Sequence, residues 1–468
     1  MSLTRRGALI GTGAVVIAAG SAAALRQHRL DQEPSSPPLV DSNQHLLWRN
    51  WSGIQSAYPA ERLGPRSEAE VLDALHRAAA PVRPVGAGHS FTALIPTDGT
   101  LISLDGLAGI VSHDPASCQA TVWGGTRLQD LGPALSAVGQ RMPNLPDINK
   151  QSLAGALATA THGSGAKSPA LHAQVTAFRL ATPAAGILEC SWDQNADVFH
   201  AARVGLGAFG VMTQITLQNS PAVRLRKRVE LRPTPEAIGA WPHLRESHHA
   251  AELFVLPFTG MTAVVTHDET TLPVKSQAAS RDTEVLLDLK RLRDWAGFWP
   301  GLRRHLAQWA MAGIQPEESV EESWKLLSNE RDVRFNEMEY HLPREEQTVA
   351  LREVLQVIES RRHDVFFPIE VRSVASDDAW LSPFHGRDCG SLALHAYYKD
   401  DYRFMFDLIE PILRRHGGRP HWGKLHSLSA AELTPLYPRW SQAMEVRARL
   451  DPDGRLLNSY LKRLLGYG

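Results

Sequence analysis

The sequence predicts an α+β chain of two domains, and three observations carry that expectation. A length of 468 residues is more than one hydrophobic core usually serves. Helix-period segments with N-cap signals are interleaved with short β-type runs bounded by Gly and Pro. Near Pro221 the texture shifts from short, glycine-punctuated elements to longer charged helices alternating with apolar strands, which marks a domain boundary. A net charge of -1 leaves no electrostatic footprint for nucleic acid or an anionic membrane, so a small molecule is the expected partner. Cys118, Cys190 and Cys389 are too few and too scattered for a disulfide framework and read as buried thiols.

At the N-terminus, Thr4-Arg5-Arg6-Gly7 precedes an apolar run from Ala8 to Leu25 that contains the small residues Ala22-Ala23-Ala24. Residues 1–30 therefore read as a twin-arginine export signal, with a periplasmic or other extracytoplasmic destination. A single membrane anchor is the alternative, because the run is nearly long enough to span a bilayer. Residues 31–44, with Pro34, Pro37 and Pro38, read as a tether.

Taken in order, Ser67-Glu68-Ala69-Glu70 forms a capping box for a helix bearing Val71, Leu72, Leu75 and Ala79. Val82 to Val85 is a short strand that delivers the chain into the turn Gly86-Ala87-Gly88-His89-Ser90. Further strands are expected at 101–104 and 119–123. A second box, Thr126 with Gln129, opens a helix that Gly139 stops. Val175 to Thr182 and Gly186 to Cys190 form a hairpin, Asp197 to Arg203 a helix, and Val211 to Leu217 a strand. In the second half, 253–257 and 261–265 are strands, and 282–295 and 344–361 are helices. Asp451-Pro452-Asp453-Gly454 turns the chain into a C-terminal tail.

Several tempting motifs fail on context. Gly205-Leu206-Gly207-Ala208-Phe209-Gly210 satisfies the dinucleotide pattern, but a helix precedes it and a strand follows, the reverse of the required order. Gly418 to Lys424 mimics a phosphate loop, yet Leu425 stands where a Mg²⁺-binding hydroxyl is required. His248-His249 with Glu252, and His421 with His426, lack the spacing or partners of a metal site, so no metal is expected.

Two glycine-rich stretches point to a bulky bound cofactor. Glycines in Pro84-Val85-Gly86-Ala87-Gly88-His89-Ser90 let backbone N–H groups turn toward an anion. The stretch from Gln151 through Ser152, Gly155, Thr159, Thr161, His162, Gly163 and Ser164 to Gly165 lets the backbone approach something flat. In 366–372, period two puts Glu370 and Arg372 on one face, a pattern that also fits a solvated ion pair. His395, alternating with apolar neighbours, fits either a core histidine or a pocket base, and His421 has the same ambiguity.

With His421-Trp422-Gly423-Lys424, these stretches make the chain resemble the flavin-linked aldonolactone and alditol oxidases of the vanillyl-alcohol-oxidase superfamily, from about Asn50 to the C-terminus. The resemblance implies an FAD-binding α+β domain over 45–220 and a substrate domain on an antiparallel sheet with flanking helices over 221–440. A tail, 441–468, returns to the first domain. It implies FAD held by Val85 to Ser90, by Ser152, Gly155, Thr159 and Thr161 to Gly165, and by Gly210 and Val211, with a covalent histidyl linkage at His89. Ser164 and the backbone at Gly163 and Gly165 would hold the pyrophosphate or the isoalloxazine edge. Glu370-Val371-Arg372 matches the family's Glu-x-Arg pair. Glu370 would bind substrate hydroxyls and Arg372 and Lys424 would stabilise negative charge, while the base stays open between His395 and His421. The implied reaction oxidises a sugar 1,4-lactone of the arabinono- or gulono- kind, with open-chain alditols as the alternative and O₂ or a redox carrier as acceptor. A flavin binder without turnover is the rival of another class. Relatives often have Gly where this chain has Ala160; a methyl beside the flavin would hinder oxygen, which leaves oxidase or dehydrogenase open.

Overall fold

A computed structural model describes residues 32–276, 282–329 and 332–467. The export signal or anchor of 1–30 lies outside them. Residues 32–44 form no helix or regular strand, but they lie against the body: Tyr398 donates to Glu33 at 2.6 Å and Lys399 pairs with it at 2.9 Å.

The first half builds two main sheets, beside two-stranded ribbons. A small parallel one places Thr100–Ser103 between Glu61–Leu63 and Val82–Val85. The other is a five-stranded antiparallel sheet in the order Gly186–Ser191, Val175–Thr182, Val211–Gln218, Gln119–Trp123, Ile110–Asp114. Helix Glu68–Arg77 starts as its sequence dictates, with Ser67 accepting from the Glu70 N–H; Val71, Ala74 and Leu75 are buried. Glu70 reaches back to the N–H of Arg66 rather than that of Ser67, and Ala79 lies past the helix end. Thr126 does not cap the next helix, Leu128–Ala137, whose N-cap is Arg127. Its hydroxyl is engaged by the Trp123 carbonyl at 2.7 Å and the Gly109 N–H at 2.9 Å, partners a local motif does not reveal.

The second half is one eight-stranded antiparallel sheet. Four neighbouring strands carry the site: β1 (Ala250–Leu256), β2 (Phe335–Pro343), β3 (Ile369–Val374) and β4 (Cys389–Tyr397), in the spatial order β1, β3, β4, β2. Helix Gln347–Arg361 begins three residues later than expected, because 344–346 form a turn closed by the Glu346 N–H on the Pro343 carbonyl at 3.0 Å. The C-terminal segment packs on the first half: Arg455 donates to the Leu75 and Ala78 carbonyls at 2.7 and 2.6 Å, and Asn458 to Pro96 at 2.8 Å.

Candidate active site

A cleft with about 1610 Å³ of open space, its mouth included, runs between the glycine turns of the first half and one face of the large sheet. Its first wall comprises Pro84 to Phe91, Gly124-Gly125, Gln151 to Gly155, Ala158 to Thr161 and Gly205 to Met212, though not every residue within those spans. This wall is built from backbone because side chains would not fit: a Cβ on Gly86 would stand 2.3 Å from the Ser152 hydroxyl, and Gly88 has φ +68°. Arg83, fully buried just before the turn, fixes this wall by donating to the Leu94 and Leu206 carbonyls at 2.8 and 2.7 Å, to Gly207 at 2.8 Å, and to Leu456.

The facing wall follows from strand register. Glu339 lies opposite Ala393, which in turn lies opposite Glu370, and Glu337 lies opposite His395. Period two then brings Glu337, Glu339, Glu370, Arg372 and His395 to one sheet face. All five are buried and all line the cleft, so Glu370 and Arg372 are not a solvated pair. The Arg372 guanidinium bonds Glu370 and approaches Asp147 at 3.8 Å. Burial works against its charge, but Glu370, Asp147, Glu339 and Glu252 hold it protonated well above the usual range. Lys424 pairs with Glu337 and sits 5.1 Å over the Phe91 ring.

The two histidines left open by the sequence separate by their hydrogen bonds. His395 Nδ1 lies 3.3 Å from the Pro368 carbonyl, and Nε2 lies 3.7 Å from both Glu337 and Glu370. The tautomer that donates from Nδ1 leaves Nε2 as an acceptor. His421 is the reverse: Nδ1 accepts from the Gly423 N–H at 3.0 Å, so Nε2 carries the proton. Burial keeps its pKa far below the usual histidine range and the ring neutral, a donor rather than a base.

His89 lines the cleft and stacks on Trp51 at 5.3 Å between ring centroids. Burial, with the charges of Lys424, Arg127 and Lys150, lowers its pKa to about 4, so its imidazole is neutral near pH 7. Val85 to Ser90, Ser152, Gly155, Thr159, Thr161, His162, Gly210 and Val211 all line the cleft. Gly163, Ser164 and Gly165 do not. Ser164 donates to the Ala251 carbonyl and Gly165 N–H to Ser373, so this turn stitches the glycine wall to β1 and β3. Ala160 is likewise turned away into the hydrophobic core. Its φ of +60° is a left-handed backbone that favours Gly.

Asp147, Glu337, Glu339, Trp51 and Arg83 went unread in the sequence. Glu337 and Glu339 could have been found from their two-residue spacing in the Phe335–Pro343 strand; Asp147 and Arg83 carry no local signal. Among the described residues, ligand atoms of His162, Glu339 and His341 lie within 4.8 Å of one another. His162 Nε2 is 3.1 Å from Glu339 and His341 Nδ1 is 2.7 Å from the Ser391 hydroxyl, while the buried His341 Nε2 has no hydrogen-bond partner among the described residues.

A cofactor of FAD's size and chemistry fits these residues. The glycine wall leaves room for a flat ring, and the buried Gln151 Oε1 on the same wall has no hydrogen-bond partner among the described residues. Residues 59–191 match the family described as FAD binding domain, and residues 215–464 match D-arabinono-1,4-lactone oxidase. The chain is 36% identical over 432 residues to an L-gulono-1,4-lactone dehydrogenase of Mycobacterium tuberculosis, covering 90% of this chain and 99% of that one. It is 31% identical to the L-gulonolactone oxidase of Bos taurus, covering 91% and 100%. An alditol oxidase of Streptomyces is 29% identical, with 89% and 98% covered. Among solved structures, a cholesterol oxidase from B. sterolicum superposes with a TM-score of 0.73 at 16% identity, covering 93% of this chain and 100% of that one, a likeness of fold. The fold is thus of the vanillyl-alcohol-oxidase type.

Proposed function

This chain belongs to the D-arabinono-1,4-lactone oxidase family, and from that premise we propose that it is an FAD-dependent oxidoreductase that oxidises a sugar 1,4-lactone. The observation that carries the reading is the set Glu370, Arg372, His395 and Lys424 on the wall facing the glycine cradle. A protein that only stored flavin would have no use for a buried cation held among carboxylates there.

FAD, when bound, supplies the acceptor for the hydride. His395 Nε2 takes the proton of the substrate hydroxyl, with Glu337 and Glu370 flanking the ring to stabilise the imidazolium that forms. Glu370 accepts hydrogen bonds from further hydroxyls and so fixes the reacting C–H. Arg372 and Lys424 would stabilise the negative charge that hydride transfer delivers to the acceptor, and His421 donates from Nε2. The buried walls limit water at the reacting carbon.

His89 is the proposed site of covalent FAD attachment through an imidazole nitrogen. The reading is supported by its position on the cleft wall and by its neutral ring, the form with a nucleophilic nitrogen. His89→Ala should release flavin on acid precipitation where the wild type retains it; acid-extractable flavin in the wild type would refute the linkage. For the whole reading, anaerobic addition of a 1,4-lactone should bleach the flavin absorbance, and a flavin band that neither lactones nor xylitol bleach would refute it. Faster bleaching by xylitol would favour an alditol substrate. Prompt recovery in air identifies oxygen as acceptor, and slow recovery a separate carrier. Export by the twin-arginine route is read from Arg5-Arg6; it predicts that replacing both with Lys strands the enzyme in the cytoplasm.

A further inference from the structure

The helical pair on the flank of the large sheet buries three cations and exposes large apolar side chains. α1 spans Asp282–Ala296 and α2 spans Pro300–Met311. On α2 the inward stripe is Arg303 and Ala307, with the guanidinium donating to the His363 and Val365 carbonyls at 3.0 and 2.9 Å. The outward stripe, at helical spacing, is Leu302, Leu306 and Trp309. On α1 the inward residues include Lys290 and Arg293, while Trp295 points out. Trp295 is 83% exposed, Trp299 63% and Trp309 77%. A helix facing water carries its charges outward. Here Lys290, Arg293 and Arg303 face the protein, and three tryptophans face away from it beside the exposed charges of Asp288, Arg291 and Arg304.

Where the N-terminal segment joins the fold suggests the occupant of this face. Glu33 binds Tyr398 and Lys399, while the next residue, Asp400, pairs with Arg293 of α1 at 2.8 Å, and Lys290 sits 5.5 Å over the Tyr397 ring. The apolar run Ala8 to Leu25 ends seven residues before Gln32. Seven residues reach at most about 25 Å, so a membrane holding that run would lie within reach of the α1–α2 face. Tryptophan and leucine on one face are the chemistry of a bilayer interface, where the indole ring sits among headgroups with its N–H wet.

We propose that the α1–α2 face, through Trp295, Trp299, Leu302, Leu306 and Trp309, docks flat onto a lipid bilayer. The docking extends the reading of the N-terminus as a membrane-directed segment, but it is a separate contact with its own readout. The test uses the full chain with phosphatidylcholine vesicles whose acyl chains carry bromine. Flotation reports attachment by any part of the chain, whereas bromine quenches only tryptophans that enter the lipid, and the first tryptophan is Trp48. Three of the twelve tryptophans should be quenched, a loss of up to about a quarter of the emission. The triple variant W295S/W299S/W309S should keep its flavin spectrum and lose that quenching, whether or not it still floats. Floating wild-type protein without quenching would overturn the proposal and mean that only the N-terminal segment attaches. Equal quenching in the variant would overturn it too. So would a lipid-independent dimer that the triple substitution dissolves, which would assign the face to a second copy.

Discussion

Replacing Arg372 tests the site most directly, because the structure makes its charge the centre of a buried acidic group. Asp147 lies 3.8 Å from the guanidinium, an attraction of about 4 kcal/mol at an effective dielectric constant of about 20. Glu370 is closer, and Glu339 acts in the same sense. Arg372→Met removes the cation and leaves these carboxyls to take up protons, a net stability cost of about 3–5 kcal/mol. In the reaction, losing a fixed charge beside the developing anion should cost about 3 kcal/mol, or 10²–10³ in rate. Arg372→Lys separates the two effects. It keeps the charge and the fold, but an ammonium lacks the fork that engages Glu370 and Asp147 together, so a loss of about tenfold is expected. The assay is anaerobic rapid mixing with a 1,4-lactone, following flavin absorbance and normalising to flavin content. Bleaching by flavin-loaded Arg372→Met within threefold of wild type would refute the role assigned to Arg372.

His395→Gln should slow flavin reduction about 10²-fold with little change in KM, and an unchanged rate would move the base elsewhere. Burial, with Asp147 beside it, raises the Glu252 carboxyl to about 8 from a reference of 4.5. Its stabilising contribution is therefore complete below about pH 4.5 and is lost as pH rises toward 8, where the folded protein must ionise it. Glu252→Gln should raise the melting temperature at pH 8, by up to a few kcal/mol of stability, and change little at pH 4.5. Ala160→Gly should relieve the left-handed backbone, a gain of up to about 1 kcal/mol after the added freedom of the unfolded chain. It should leave reoxidation in air unaltered because residue 160 does not line the cleft; faster reoxidation would reinstate the methyl as a barrier to oxygen.

Much of the fold was legible because its signals are local. Ser67 capping Glu70, the Val82–Val85 strand feeding a glycine turn, and the alternation through Glu370 and Arg372 each depend on spacing within a few residues. Thr126 shows the limit of such signals: its sequence context is a capping box, but a carbonyl and an N–H from neighbouring segments engage the hydroxyl. Ser164 shows the same in reverse. A glycine-rich turn with a hydroxyl looks like a cofactor loop in sequence, and in the fold it ties two walls together through Ala251 and Ser373.

The amino-acid sequence by itself determined the α+β class, the glycine turns that keep side chains off one wall, and the pairing of a carboxylate with a guanidinium two residues apart. Those follow from backbone freedom and strand periodicity, which need no distant partner. Only the tertiary structure decided the rest, because it depends on strands far apart in the chain coming into register. Glu339, Ala393 and Glu370 meet in one row across three strands, burial makes His421 a neutral donor, and α2 turns Leu302, Leu306 and Trp309 outward.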